Sequence, residues 1–304
     1  MTIICVVFFR RAKKDHTINV KYHIMIDLHI HTSATPHHSS WTPDQLAGAA
    51  ASAGLQVIAA ADHNTTASVR ALQAAGARHG VRVIAGVEID SAFAGKLWHT
   101  LVYGVDPQEP ALLALCAAVF ERNMADAAAL RIELARRGFA INGLDALGRP
   151  PNVADVGAAL ARGNPLAGRL AGEDDESAGM RYILTEIPGG YQPVGVDEII
   201  AVAQRAGGLA VLAHPGRSKG LYAIPATAED IAALAAAGLH GVEVFYPTHT
   251  AEQRAFYREL ALRHGLLVTG GSDSHSPHQA LAQVDSLDLR IAADLPTILE
   301  RLSL

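Results

Sequence analysis

Histidine and carboxylate side chains recur at the ends of short apolar segments in this 304-residue sequence. His29 and His31 lie two positions apart, so their side chains point to the same side of a strand. Asp273 and His275 repeat this spacing near the other end of the chain. Four more such side chains lie in the segments between them: His63, Glu88, His99 and His214. Nitrogen and oxygen donors of this kind, with no cysteine nearby, suit Mn, Fe or Zn.

Each pattern has an ordinary alternative when it is taken alone. A single His-x-His pair on a strand is more often incidental than a ligand pair. His63 is compatible with a surface histidine beside a helix cap, and His99 with a hydrogen-bonded core histidine. Surface placement is expected for the histidines that do not end a strand, which include His37, His38, His79, His240, His264 and His278. The conjunction of eight positions at successive strand ends favours a metal site.

Seven short apolar or β-branched segments carry these residues, and Ala-rich stretches with helical spacing lie between most of them. The segments are 26–31, 56–63, 82–88, 97–103, 209–214, 241–245 and 266–273. Strands that alternate with helices predict an α/β fold with parallel βαβ units. About seven such units predict a closed or nearly closed barrel, in which the carboxyl ends of the strands meet at one face.

Residues 110–193 break the alternation of strands and helices. A segment with helical spacing, 111–137, is followed by a loop-rich stretch and an acidic run at 173–176. Such an acidic run is typical of a solvated turn. The sequence therefore predicts a barrel formed by 25–109 and 194–304, with 110–193 as a helical insertion subdomain. Residues 1–24 are expected to be a non-native or disordered extension before Met25, and the alternative is an extra edge strand.

The composition excludes several classes of protein. Half of the residues are apolar and 18% are charged, which argues against disorder. The net charge of −5 provides no basic footprint for nucleic acid as a bulk partner, but it allows a small phosphorylated ligand. The apolar run at 3–9 is too short to cross a membrane. Two cysteines, Cys5 and Cys116, suggest a reducing, cytoplasmic location, and the pattern does not indicate an oligomeric state.

Five stretches, in order, resemble the motifs of the polymerase-and-histidinol-phosphatase (PHP) family, which is related to the amidohydrolases. They are DLHIHT at 27–32, ADHNT at 61–65, GVEI at 86–89, LAHPGR at 212–217 and GSDSH at 271–275. The resemblance implies a distorted (β/α)7 barrel with a mostly helical insertion, and two or three divalent metal ions. Its layout is similar to that of the stand-alone nucleotide phosphatases of the family.

The resemblance also implies a ligand set for each ion. The first ion would be held by His29, His31, Glu88 and Asp273. The second would be held by Glu88, His99 and His214, with Glu88 as the bridge, and a third by His63 and His275. Many relatives place an aspartate after the first motif, and residues 35–41 lack it. Either His37 or His38 replaces that aspartate, or the third ion is weakly bound or absent.

A second departure from the family pattern lies in the insertion. The stretch GRPPN at 148–152 resembles a family segment but has proline where histidine is usual. This difference puts in doubt any substrate role that the histidine carries in relatives.

The predicted activity is hydrolysis of a phosphate monoester of a small metabolite, such as a nucleotide, by metal-bound hydroxide. Glu88 and Asp273 would act through the ions. Arg217 would clamp the phosphate or, alternatively, form a surface salt bridge. His249 would protonate the leaving oxygen or lie in a loop outside the site. The further candidates for substrate contacts are Arg149, Asn64, Tyr246 and Trp41. The last two would stack on a base or, alternatively, pack against their own loops.

Three alternatives to the monoesterase remain open. The first is a phosphodiesterase or exonuclease that acts on nucleic acid or a cyclic phosphate. The second is a non-catalytic, metal-stabilised binding module, which would be expected to have lost ligands. The third is amidohydrolase-type C–N hydrolysis, which usually requires a carboxylated lysine or an equivalent bridging ligand, and no lysine lies near these strand ends.

Overall fold

The computed structural model of the protein describes residues 24–35, 39–217, 225–282 and 284–285. Nearly all of the extension expected at 1–24 lies outside these ranges, as do His37 and His38. The strands are β1 (Met25–Ile30), β2 (Val57–Ala60), β3 (Arg82–Ile84), β4 (Gly86–Phe93), β5 (Lys96–Tyr103), β6 (Val194–Gly195), β7 (Leu209–Leu212), β8 (Gly241–Phe245), β9 (Leu267–Gly270) and β10 (Val284–Asp285).

The helices alternate with these strands except in the middle of the chain. They are α1 (Pro43–Ser52), α2 (Val69–His79), α3 (Pro110–Arg136), α4 (Val153–Gly163), α5 (Asp175–Glu186), α6 (Val196–Arg205), α7 (Ala228–Ala236) and α8 (Ala251–His264), with a 3-10 turn at Leu144–Leu147. In the described part of the chain, no helix has the length and apolar character needed to cross a membrane.

The described strands form two sheets, with the orders β10-β1-β2-β3 and β6-β4-β5-β7-β8-β9. Isolated bridges join their edges, from Ile30 to Ser274 and from His63 to Glu88. Only Ala85 separates β3, which pairs in the first sheet, from β4, which pairs in the second. The α/β class is confirmed, whereas the hydrogen bonding of the described strands forms two connected sheets instead of one continuous barrel.

The prediction of uniformly parallel βαβ units is wrong at β5. This strand is antiparallel to both β4 and β7. A two-residue turn joins β4 to β5, in which Ala94 and Gly95 have φ values of 49° and 77°. Positive φ at both positions is typical of the turn that matches the twist of a hairpin. The hairpin places His99 opposite Asp90, in the half of β5 that lies beside the carboxyl end of β4.

Side-chain caps define where several helices begin. Thr42 caps α1, because its hydroxyl accepts from the backbone N–H of Gln45, whose side chain accepts in turn from the backbone N–H of Thr42. The same reciprocal arrangement of Thr250 and Gln253 starts α8. These caps satisfy backbone N–H groups that the first helical turn leaves without partners. They fix the helices that pack around the strands.

Two buried apolar clusters divide helix α3 between them. Leu112 and Val119, in its amino-terminal half, pack with the strands and α6, and Leu130 and Leu134, in its carboxyl-terminal half, pack with α4 and α5. Residues 110–193 thus contribute most of a second apolar cluster of their own. The boundaries of the insertion subdomain stay a prediction.

A close backbone approach at Gly271 holds the end of β9 against β1. A Cβ atom at Gly271 would overlap the backbone nitrogen and the Cβ of His29. We expect Gly271→Ala to lower the free energy of unfolding by about 1–3 kcal/mol, because the added methyl group must displace β1. Urea denaturation measures this change.

Gly48→Ala is the matched control for that substitution. Gly48 lies inside α1, where a Cβ would make only an ordinary contact with the ring of His79, 3.4 Å away. Alanine there is expected to be neutral or stabilising, because it is the better helix former. Equal stability of the Gly271→Ala variant and the unmodified protein would contradict the proposed role of this contact.

Candidate metal centre

The carboxylate of Glu88, fully buried on β4, is the centre of the site. Its Oε2 atom lies 3.2 Å from Nε2 of His29, 3.3 Å from Nε2 of His31 and 3.3 Å from Nδ1 of His63. Among the described residues, Oε2 of Glu88, Nε2 of His29 and Nδ1 of His63 are buried and have no hydrogen-bond partner. Buried polar atoms without a partner destabilise a folded protein and are uncommon. Their convergence fits atoms that share a cation.

Distances within the first predicted ligand set match a coordination shell. Asp273 Oδ1 lies 3.6 Å from Nε2 of His29 and 3.0 Å from Nε2 of His31. Four donors about 2.0–2.1 Å from a tetrahedral ion stand about 3.4 Å apart. His29, His31, Glu88 and Asp273 therefore fit a single divalent ion, and their donor atoms are close enough together to hold one.

The other oxygen of Glu88 belongs to the second predicted set. Oε1 lies 2.9 Å from Nδ1 of His99 and 3.1 Å from Nε2 of His214. All three residues are buried, and their donor atoms form a second group able to hold an ion. The two oxygens of one carboxylate thus face two separate sets of ligands.

His63 and His275 come together with His31 in a third group. The rings of His31 and His275 stack with centroids 4.0 Å apart, and Nδ1–H of His275 donates to the carbonyl of Asp273 at 2.8 Å. This hydrogen bond leaves Nε2 of His275 as its donor atom for an ion. All eight predicted ligands are therefore gathered in one region of the described structure, and their assignment to ions stays a prediction.

Asp90 is a neighbour of the site that the sequence analysis missed. Its Oδ1 atom lies 3.7 Å from Nδ1 of His63 and 3.5 Å from Nε2 of His99, and these three residues form a fourth group. The hydroxyl of Tyr191 donates to its other oxygen at 3.1 Å. The signal was present in the sequence, because Asp90 is two positions after Glu88 on one strand and so shares its face.

Glu243 was also missed, although a carboxylate in the middle of an apolar strand is a recognisable signal. It is fully buried on β8. Nδ1–H of His29 donates to its two oxygens at 3.2 and 3.3 Å, and the backbone N–H of His214 donates to Oε2 at 2.8 Å. This contact fixes the tautomer of His29 that leaves Nε2 available to a metal ion.

Two further buried carboxylates hold the loops that carry the ligands. Asp27 accepts backbone N–H groups from His29, Ser272 and Ala282 at 3.2, 2.9 and 2.8 Å. Burial raises the pKa of Asp27 to about 6, against the effect of these donors. Asp62 accepts the hydroxyls of Thr32 and Thr35, both at 2.8 Å, and that of Ser68. Asp27 thereby connects the first motif, 27–32, to the last, 271–275, and Asp62 connects the first motif to the second, 61–65.

Uncommon backbone conformations mark the same region. Among the described non-glycine residues with positive φ, Asn64, His214 and Asp273 lie at the site, with values of 54°, 26° and 54°. Such conformations are unfavourable for most side chains and persist where the surrounding structure enforces them. At His214 and Asp273 they turn a ligand inward immediately after a strand.

The electrostatics of the ligands differ strongly from one to another. Burial disfavours the charged form of His31, but the adjacent Asp273 and Glu88 carboxylates raise its pKa to about 9. The pKa of His29 is also raised, because the Glu88 and Glu243 carboxylates outweigh its burial. Burial and the charge of His31 lower the pKa of His275 to about 4. In the metal-free centre, the ionised carboxylates therefore favour the protonated forms of His29 and His31, whose charge takes the place of a cation.

A cavity of about 600 Å³ opens from the centre towards the helices of residues 110–193. Asp273, His275, Arg217 and Arg149 are among the residues that line it. Arg149 binds Asp155 with two hydrogen bonds of 2.6 and 2.9 Å, so its guanidinium is largely occupied. Arg217 lies close enough to His99 and Tyr246 for its positive charge to act on both of their pKa values.

His249, expected either to protonate the leaving oxygen or to lie in a loop outside the site, has both ring nitrogens hydrogen-bonded to the backbone. Its Nδ1–H donates to the carbonyl of Val244 at 2.9 Å, and its Nε2 accepts from the backbone N–H of Gly216 at 3.0 Å. The ring is buried, and burial lowers its pKa. Both nitrogens are thus used to hold the loop that leads to Arg217, and the ring lines a different cavity.

The aromatic residues predicted to stack on a base are also occupied. The Tyr246 hydroxyl donates to Oδ2 of Asp273 at 3.0 Å, and the Trp41 indole donates to Oγ of Ser274 at 3.0 Å. Both side chains are buried. Asn64 does line the cavity, but its Oδ1 accepts from the backbone N–H of Asp90 at 3.1 Å. These contacts support the centre instead of a substrate.

Comparisons with known proteins agree with this geometry. A model of the PHP domain matches residues 27–129. The phosphoribosyl 1,2-cyclic phosphate 1,2-diphosphodiesterase of Eggerthella lenta is 34% identical over 259 residues, which cover 82% of this chain and 93% of that protein. The 3',5'-nucleoside bisphosphate phosphatase of Chromobacterium violaceum is 28% identical over 277 residues, with 90% and 93% covered.

Two more similarities extend this set. The 5'-3' exoribonuclease Rnm of Escherichia coli is 29% identical over 272 residues, with 85% of this chain and 88% of that protein covered. The solved structure of a candidate metal-dependent phosphoesterase from Bifidobacterium adolescentis superposes with a TM-score of 0.68 at 26% identity. This match covers 91% of this chain and 96% of that one.

Metal affinity is expected to rise with pH between about 6 and 9. An ion that binds here must displace the protons of His29 and His31, whose pKa values are raised in the metal-free centre. Affinity should therefore increase by up to about tenfold per pH unit for each displaced proton, until His31 is deprotonated. Competition with a chelator of known pH dependence measures this slope, and a flat profile would contradict it.

Removal of the Glu243 carboxylate is expected to weaken metal binding although every predicted ligand residue is retained. Glu243→Ala frees the ring of His29, and we expect a loss of about 10- to 100-fold in metal affinity. Glu243→Gln keeps one acceptor for His29 and should lose less. Glu259→Ala, on the exposed face of α8, is the control. Unchanged affinity in Glu243→Ala would show that the contact does not position His29.

Proposed function

This chain belongs to the PHP domain family and is a metal-dependent phosphoesterase, and we propose that it hydrolyses a phosphate monoester of a small metabolite. The observation that supports this proposal most is the division of Glu88 between two ligand sets, Oε2 towards one and Oε1 towards the other. A carboxylate that bridges two ions is a common feature of two-metal phosphoesterase chemistry.

The donor chemistry of the centre fits two or three divalent ions. His29, His31 and Asp273 would hold the first with Glu88, and His99 and His214 would hold the second with Glu88. When bound, such ions supply activation of water at neutral pH and neutralise charge on phosphate oxygens.

The other residues of the site bind and orient. Arg217 lines the cavity beside the ligands, and its planar guanidinium can donate two parallel hydrogen bonds to a phosphate. Tyr246 donates to Oδ2 of Asp273 and thereby directs Oδ1 towards His29 and His31. In the hydrolysis, a water oxygen forms the new bond to phosphorus, the ester P–O bond breaks, and the leaving oxygen takes up a proton.

The size of the cavity supports a small substrate. About 600 Å³ lies within the range of sites for metabolites and cofactors. The expected exclusion of nucleic acid has no support, because one relative is an exoribonuclease. Another relative acts on a cyclic phosphate. A diester, cyclic or at the end of a short RNA, is therefore the second candidate substrate.

A panel assay decides between these substrates. Manganese-loaded protein is incubated with a nucleoside monophosphate, a nucleoside bisphosphate, a sugar phosphate, a cyclic phosphate and a short oligoribonucleotide. Released phosphate and bound metal are measured in the same samples. Release from monoesters supports the proposal, cleavage confined to diesters supports the second candidate, and full metal occupancy without any turnover contradicts both.

Arg217→Ala is expected to lower kcat/KM for a phosphorylated substrate by about 10- to 100-fold, as the loss of a charge-assisted hydrogen bond would. Its metal content should remain that of the unmodified protein, because Arg217 is not a ligand. Arg217→Lys should recover part of the loss, since lysine keeps the charge but not the two parallel donors.

Arg70→Ala provides the control for these variants. The side chain of Arg70 is exposed on α2 and lies 3.6 Å from Asp106, away from the cavity. Loss of metal in Arg217→Ala would mean that this arginine supports the centre instead of the substrate.

A further inference from the structure

We propose that helix α3 provides a binding wall for a nucleobase, formed by Phe120 and Met124, in the cavity that the metal ligands also line. The inference rests on the proposed phosphoesterase function and assigns the substrate class, a nucleotide. It also assigns specificity to residues that take no part in the metal centre.

Two partly exposed apolar side chains of α3 line the cavity. Phe120 and Met124 are 37% exposed, and both line the same cavity as Asp273 and His275. They lie four positions apart on α3, so they are neighbours on one face of the helix. A phenyl ring and a thioether are suited to contact with the face of an aromatic ring. An apolar wall in a cavity that ends at charged ligands fits a substrate with one anionic end and one flat apolar end.

Two polar side chains beside this wall restrict the class of substrate further. Asn123, next to Met124 on α3, and Asn152 line the same cavity. The Oδ1 atoms of both are used, since they accept from the backbone N–H groups of Val153 and Asp155 at 2.7 and 2.8 Å. No described residue accepts from their amide nitrogens. Two donors next to an apolar wall match a ring whose edge carries nitrogen and oxygen acceptors, and nucleobases combine both features.

The packing of α3 explains why this wall can be rigid. Val119, adjacent to Phe120, is buried with the strands, and Ala127, one turn after Met124, is buried with α4 and α5. The exposed pair therefore lies between two anchored stretches of a single helix. A rigid aromatic contact costs little ordering of the protein when a ligand binds.

The test compares a nucleoside 5'-monophosphate with ribose 5-phosphate in the manganese-loaded protein. We expect kcat/KM to be higher for the nucleotide by about tenfold or more, the range that stacking on an aromatic side chain provides. Phe120→Ala should remove most of this preference by raising KM for the nucleotide. It should leave kcat/KM for ribose 5-phosphate and the metal content unchanged, and Met124→Ala should act in the same direction with a smaller effect.

Leu113→Ala is the matched control. Leu113 is 39% exposed on the same helix but does not line the cavity, so its truncation should leave the preference intact. Equal kcat/KM for the two substrates in the unmodified protein, or an undiminished preference in Phe120→Ala, would overturn the inference while the phosphoesterase function stands.

A binding measurement keeps the two proposals distinguishable. If the unmodified protein hydrolyses neither these two compounds nor any other monoester of the panel, the phosphomonoesterase proposal fails. Calorimetric binding of the same nucleotide then tests the wall by itself. Weaker binding by Phe120→Ala than by Leu113→Ala supports the wall, and equal binding by the two variants overturns it.

Discussion

The burial of the Glu88 carboxylate is the constraint on which the rest of the structure depends. A carboxylate removed from water is unfavourable unless it is compensated by opposite charge or hydrogen bonds. Burial alone would raise the pKa of Glu88, but the neighbouring His29, His99 and His63 hold it well below its usual value. The carboxylate is thus kept ionised inside the protein, where it can attract cations and face two ligand sets at once.

The histidines that compensate the charge of Glu88 are themselves held by other buried carboxylates. Glu243 holds the ring of His29 and the backbone of His214, which come from motifs far apart in the chain. Asp27 holds backbone atoms of β1 together with those that follow β9. Because such supporting contacts orient ligands and tune the metal, the site includes these buried carboxylates as much as the ligands.

The positions of strand ends and the types of side chain there were sufficient to predict the eight candidate ligands. The features that could not be predicted have physical causes. The spacing of His29 and His31 was sufficient, because alternate residues of a strand share one face. His99 was placed at the site although its strand was expected to be parallel. Only the positive φ values of Ala94 and Gly95 show that the chain turns back. An alanine in that position carries no sequence signal for such a turn.

The choice between the roles left open for His249 and Tyr246 depends on a different cause. Residue type shows what His249 and Tyr246 could do, but it does not show which of their atoms are already bonded. The ring nitrogens of His249 are used by Val244 and Gly216, and the hydroxyl of Tyr246 by Asp273. The loops near the ligands are therefore occupied in holding the centre. We therefore place selectivity for the rest of a substrate in the part of the cavity that α3 lines, a helix anchored in one apolar cluster at each end.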